Sequence, residues 1–127
     1  MTKTVLCFGS VVEGDETPFS ICSGAGKMLK GFRFVKCEAA IELLNYADGE
    51  EIVILDSVKG LKKPKLFSGI DAFMKVESVT AHDLDLGTFL KILSDMGRLR
   101  KVRIIGIPYG MKPEDAALAV EELLISG

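Results

Sequence analysis

Apolar positions in this chain fall into short unbroken runs that alternate with stretches spaced for a helix. Thr4 to Phe8 is a compact run of strand length, ended by Gly9-Ser10. Thr17-Pro18 reads as an N-cap followed by proline in the first helical position. Behind it Ile21, Ala25, Met28 and Leu29 recur at helical spacing, and Gly31 ends the segment. Phe32 to Val35 predicts a second strand. Ala40, Leu43, Leu44 and Ala47 predict a short second helix closed by Asp48-Gly49. Ile52 to Leu55 is the strongest strand signal, β-branched and uncharged between Glu51 and Asp56. Such continuous apolarity suits a parallel strand buried on both faces. A loop rich in lysine, glycine and proline runs from Lys59 to Gly69, and Ala72 to Val76 predicts a fourth strand. Leu86, Phe89, Leu90 and Leu93 define a third helix stopped at Gly97. Val102 to Ile107 predicts a fifth strand ending at Pro108. Pro113-Glu114-Asp115 then opens a last helix, its acids suited to the positive helix end and Ala116, Val120, Leu123 and Leu124 facing inward.

Strand and helix alternate over the whole length, which predicts an α/β fold: a three-layer α/β/α sandwich around a mostly parallel sheet of about five strands. No internal repeat or low-complexity tract interrupts the pattern, so residues 1–127 are read as one domain. In such sheets ligands bind beyond the carboxyl ends of the strands, where the strand order reverses. Chemistry is therefore sought in the loops after the first, third, fourth and fifth strands.

Composition narrows the partners. Lys and Arg total 16 against 18 for Asp and Glu, a net charge of −2. Proteins that bind nucleic acid or a membrane surface usually carry a basic excess, so neither partner is expected. The uncharged runs fall far short of the ~20 residues that span a bilayer, and the N-terminal residues do not read as a signal peptide. Three cysteines, Cys7, Cys22 and Cys37, form no C-x-x-C pair, and an odd count is poor for a disulfide framework. Cys7 and Cys22 are read as core residues and Cys37 as exposed. A cytoplasmic location is the simplest expectation.

Three positions stand out in the strand-exit loops. The loop after the first strand carries Glu13, Asp15 and Glu16, which would also serve as helix-capping acids. Asp56 directly follows the most apolar strand, at the sheet edge where pockets form or a turn begins. His82 is the single histidine, placed ahead of the third helix, where a capping role is the commoner one. Together, Glu16, Asp56 and His82 occupy three loops on one edge of the predicted sheet. Two carboxylates and an imidazole make an incomplete oxygen and nitrogen set, suited to a divalent transition metal with open positions.

Other motifs fail. Ser23-Gly24-Ala25-Gly26-Lys27-Met28 lacks the first glycine and the hydroxyl residue of a phosphate loop. No G-x-G-x-x-G follows the first strand, so a dinucleotide fingerprint is absent. The four lysines between Lys59 and Lys65 are read as a solvated loop.

The residues in their chain order resemble the hydrogenase maturation protease family, whose pattern is a strand followed by G-N-x-L-x-x-D-[DE]. Here Val5 to Glu16 matches the glycine, Gly9, and the final acidic pair, Asp15-Glu16. The apolar strand ending in aspartate, a small residue and valine is matched by Ile52 to Val58. Thr80 to Leu86 resembles the S-x-H-x-x-x-L marker, and Val102 to Pro108, ending Gly106-Ile107-Pro108, resembles a late strand ending G-I-x-P. The resemblance implies an endopeptidase that removes the C-terminal extension from the large-subunit precursor of a nickel–iron hydrogenase. It implies that Glu16, Asp56 and His82 contact nickel that arrives with the precursor, so that cutting waits on nickel insertion. It assigns no catalytic residue on the chain. Two departures accompany it. Ser10 stands where the family has asparagine, and Val35 to Glu42 lacks the glycines of a D-x-G-T-like segment. Glu38 is the nearest substitute for that segment's acid and is assigned to substrate binding.

Two other readings compete. A phosphoacceptor receiver domain has a similar rhythm and acids at comparable places. It needs a lysine before the proline that ends its fifth strand, and Ile107 stands there, leaving a phosphoryl group without its cationic partner. A relative that binds the nickel-loaded precursor without cutting it fits the altered segment from Lys36 to Ile41.

Overall fold

The computed structural model describes residues 3–9, 17–23, 31–47, 51–58, 60–67, 69–75, 81–99 and 101–126, with the side chains of residues 23, 81–84 and 126 left aside. Five strands form one sheet: β1 (Lys3–Phe8), β2 (Phe32–Cys37), β3 (Ile52–Val58), β4 (Lys65–Phe67) and β5 (Val102–Pro108). Their spatial order is β2-β1-β3-β5-β4, parallel throughout except for β4, which runs antiparallel to β5 at one edge. All seven residues of β3 are buried, because β3 lies in the middle of the sheet with helices over both faces. Its unbroken apolar run follows from that position.

Side chains alternate between two cores. Leu6, Phe8, Ile52, Ile54 and Ile104 enter one core, with Phe73 of α2 (Ile70–Met74) and Leu86, Leu90 and Leu93 of α3 (Ala81–Asp95). Val5, Cys7, Val53, Leu55, Ile105 and Ile107 enter the other, with Ile21 of α1 (Thr17–Ser23) and Ala116, Val120 and Leu124 of α4 (Pro113–Ser126). The fold is thus a three-layer α/β/α sandwich. Leu86, Leu90 and Leu93 recur at four and three residues, one stripe of α3. Gly97, at φ 72°, ends that helix by donating to the Ser94 carbonyl at 2.9 Å, while the Arg98 amide reaches Leu93 at 3.0 Å. The left-handed conformation required there is the one glycine adopts without strain.

Several expectations are corrected. The fourth strand is Lys65–Phe67 rather than Ala72 to Val76, of which residues 72–74 lie in α2. α2 packs through Phe73, whose ring meets Phe67 edge-on at 5.6 Å and 84°. The second helix is a single 3₁₀ segment, Ala40–Asn45, whose Glu42 carboxylate accepts the backbone amides of Glu38 and Ala39. Asp56 lies inside β3, which continues to Val58, rather than in a loop after it. Cys37 is fully buried rather than exposed. The expected extension of the first helix to Leu29 lies outside the described residues.

Candidate functional site

β1 sits between β2, which follows it in the chain, and β3, so the strand order reverses at β1. In sheets of this kind ligands bind where the order reverses, beyond the carboxyl ends of the strands, here β1 and β3. Phe8 and Asp56 are register partners at that point. Asp56 is fully buried, alternating with Ile54 and Val58 and therefore on the face covered by α3. Its partner on the other side, in β5, is Gly106. A carboxylate in such surroundings stays charged only when hydrogen-bonded, ion-paired or bound to a metal.

His82 was expected in a strand-exit loop ahead of a helix; it is instead the second residue of α3, which the chain enters through β4 and α2. α3 ends just before β5 begins, so it runs against the parallel strands and its first turn lies at their carboxyl edge, the edge of Asp56. Glu16 lies outside the described residues. Thr17, the first residue of α1, is held at that edge: its Oγ1 donates to the Met111 carbonyl, beyond the exit of β5, at 3.3 Å. Among the described residues no group of three or more His, Cys, Asp or Glu side chains is placed to hold a metal. Of the expected ligands, those residues include only the Asp56 side chain. Aspartate with glutamate and histidine is a donor set suited to a borderline transition metal.

Glu38 is exposed just beyond β2 and pairs with Lys36 at 3.7 Å. It lines a groove of about 450 Å³ between the 3₁₀ segment and the first half of α3. Ile41 forms part of one wall and Asp85, Thr88 and Phe89 form the other. Ile41 is 61% exposed, an apolar side chain the fold itself leaves uncovered. Asp85 stands one turn after His82, so the groove leads along α3 from the edge that carries Asp56. The sequence reading missed this wall. Phe89 falls on the apolar stripe of α3 and reads as core, and only the placement of the 3₁₀ segment beside it makes a groove.

Gly106 was legible only as part of a motif. Its reason is spatial: a Cβ there would lie 2.8 Å from Leu61 Cδ1 and from Phe67 Cε2.

No protein-family model matches the sequence, and no curated protein matches it. Solved structures do. The hydrogenase maturating endopeptidase HybD from Escherichia coli superposes with a TM-score of 0.70 at 18% identity, over 100% of this chain and 94% of that one. The chain has the fold of the hydrogenase maturation endopeptidases. The [NiFe] hydrogenase maturation protease HybD from Thermococcus kodakarensis gives a TM-score of 0.68 at 24% identity, over 97% of this chain and 99% of that one. The hydrogenase 3 maturation protease gives 0.70 at 17% identity, over 96% and 88%. The likeness therefore spans nearly the whole of this chain. Among the described residues no helix is long and apolar enough to cross a membrane.

Proposed function

We propose that the chain is a hydrogenase maturation endopeptidase, which removes the C-terminal extension of a nickel–iron hydrogenase large-subunit precursor once nickel has been inserted. The observation that carries this reading is the buried Asp56 at the switch point of a sheet that superposes end to end on maturation proteases. Asp56, Glu16 and His82 supply oxygen and nitrogen ligands from three separate stretches of chain, and the nickel itself comes with the precursor as part of the substrate. Two carboxylates and one imidazole hold a metal weakly by themselves, so the site is completed only by a precursor that already carries nickel. A metal beside the scissile peptide supplies Lewis-acid chemistry, which dispenses with a protein nucleophile. The groove lined by Glu38, Ile41 and Phe89 receives the precursor segment next to the cut.

The test is to incubate the protein with nickel-loaded and nickel-free precursor and read the products by intact mass. Shortening of the loaded form alone is expected. Equal cutting of both overturns the nickel requirement, and binding of the loaded form without cutting replaces the protease with a checkpoint protein.

A further inference from the structure

Cys7 and Cys22 meet in the core under α1. Cys7 is fully buried on β1, and Cys22, on α1, is half-buried against the same apolar layer. Their thiols are hydrogen-bonded to each other. Lys36 is the register partner of Cys7 across the β1–β2 ladder, so the two side chains leave the sheet on one face. Its Nζ lies 4.5 Å from the ring centroid of Phe19, one turn before Cys22 on α1. A buried thiol, a partly accessible thiol and an ammonium group therefore converge from three elements. Cys37 is next along β2 and faces the opposite core.

The arrangement makes the two sulfurs unequal. The hydrogen bond from Cys7 lowers the Cys22 thiol to about 7, with burial opposing the shift and Lys36 assisting it. The same bond, together with burial, pushes Cys7 well above the ordinary thiol range. Burial pushes Cys37 up to about 12, which leaves it inert at neutral pH. A partly exposed thiolate beside a protonated thiol is the arrangement found in reactive dithiols, where one sulfur attacks and the other resolves.

We propose that Cys22 and Cys7 form a redox-active pair, oxidised by a hydroperoxide to an intramolecular disulfide with Cys22 attacking first and Cys7 resolving. In the first step the Cys22 thiolate attacks the peroxide. An S–O bond forms, the O–O bond breaks, and hydroxide (or the alkoxide of an organic hydroperoxide) leaves to take a proton from solvent. In the second, the Cys7 sulfur displaces water from the Cys22 sulfenic acid: the S–S bond forms, the S–O bond breaks and the Cys7 proton leaves with the water. The two sulfurs lose two electrons and the peroxide gains them. Thiols of the glutathione class reverse the oxidation by exchange. The crosslink closes a loop that includes Glu16, so it ties α1 to β1 across the segment bearing that candidate ligand.

The experiment treats the reduced full chain with equimolar hydrogen peroxide, then alkylates, digests and maps the peptides by mass. Linked Cys7 and Cys22 peptides, with Cys37 free, are expected. Cys22→Ser should abolish the link. Cys7→Ala should leave a Cys22 sulfenic acid that a 1,3-dione traps, and should slow Cys22 alkylation at pH 7 about tenfold, as loss of the hydrogen bond returns the thiol to its ordinary range. Lys36→Met, at an exposed position, should slow it in the same direction and keeps the test alive if Cys7→Ala does not fold. Peroxide that leaves all three thiols free, or links only different molecules, overturns the proposal. So does a Cys22 that alkylates no faster than an ordinary thiol.

Discussion

Asp56 and Gly106 are register partners across the β3–β5 ladder, and the missing side chain of one leaves the space into which Leu61 and Phe67 pack beside the other. A methyl group at position 106 would overlap Phe67, a fully buried ring already fixed edge-on against Phe73. Gly106→Ala is expected to destabilise the fold by about 1–3 kcal/mol, the range for overpacking a filled core. Urea unfolding monitored by circular dichroism measures it. A change within a few tenths of a kcal/mol would mean that β4 shifts freely, against the packing described.

Asp56 separates function from stability. Asn has nearly the same volume and keeps one oxygen acceptor, so Asp56→Asn should shift the melting temperature by only a few degrees while abolishing precursor cleavage. His82→Ala should also abolish cleavage without unfolding the chain. Paired thermal melts and intact-mass cleavage assays check both, and a fully active Asp56→Asn protein would remove Asp56 from the site.

The groove beside α3 gives a third outcome. Ile41 is largely exposed, so Ile41→Ser should alter stability by no more than about 0.5 kcal/mol. If the precursor docks along this wall, the substitution raises KM several-fold and leaves kcat nearly unchanged. A steady-state comparison on nickel-loaded precursor separates the two constants, and an unaltered KM places the docking surface elsewhere.

At the opposite edge of the sheet Arg103 Nε lies 2.6 Å from Glu51 Oε1, with Lys3 Nζ 3.5 Å from the other carboxylate oxygen. Burial by itself would raise the Glu51 carboxyl, but Arg103, Lys3 and Lys101 outweigh it and hold the group below its ordinary value of 4.5. A carboxyl depressed on folding stabilises the protein above its unfolded pKa, and that contribution is lost as pH falls through the folded value. The stability of the wild-type chain should therefore drop below about pH 4.5 more steeply than that of Glu51→Gln. Arg103→Met removes the nearest of the cations that face Glu51 and leaves Lys3 in place, so it should cost about 1–2 kcal/mol at neutral pH. Urea midpoints across the acid range test both signs.

The central strands and long helices were legible because their burial imposes a pattern on consecutive residues. Ile52 to Leu55 could hardly be anything but a covered parallel strand, and Leu86, Leu90 and Leu93 mark α3 at once. β4 was not legible. An edge strand of three residues needs only Phe67 inside, and Lys65, whose Nζ lies 5.0 Å from the Phe67 ring centroid, reads as loop. A charged, short edge is what discourages pairing with a further strand, and it also erases the alternation a reader looks for. Ala72-Phe73-Met74 misleads for the complementary reason: a five-residue helix is too short to show a helical period. Asp56 was visible from its place after an apolar run, but its position inside β3, fully buried, was not, since the strand continues through a polar pair to Val58. The groove was invisible, since it depends on two distant segments coming to lie side by side.

The reversed edge strand has a consequence for how this scaffold tolerates change. Between Val58 and Ala81 the polypeptide leaves the carboxyl edge, doubles back through β4 and α2, and returns to the same edge to begin α3. Phe67 and Phe73 anchor the detour in the core shared with α3, so a change of length between Val58 and Ala81 that keeps Leu61, Phe67 and Phe73 in place leaves Asp56 where it is. The excursion is thus the natural place for an engineer to graft a new recognition element near the start of α3.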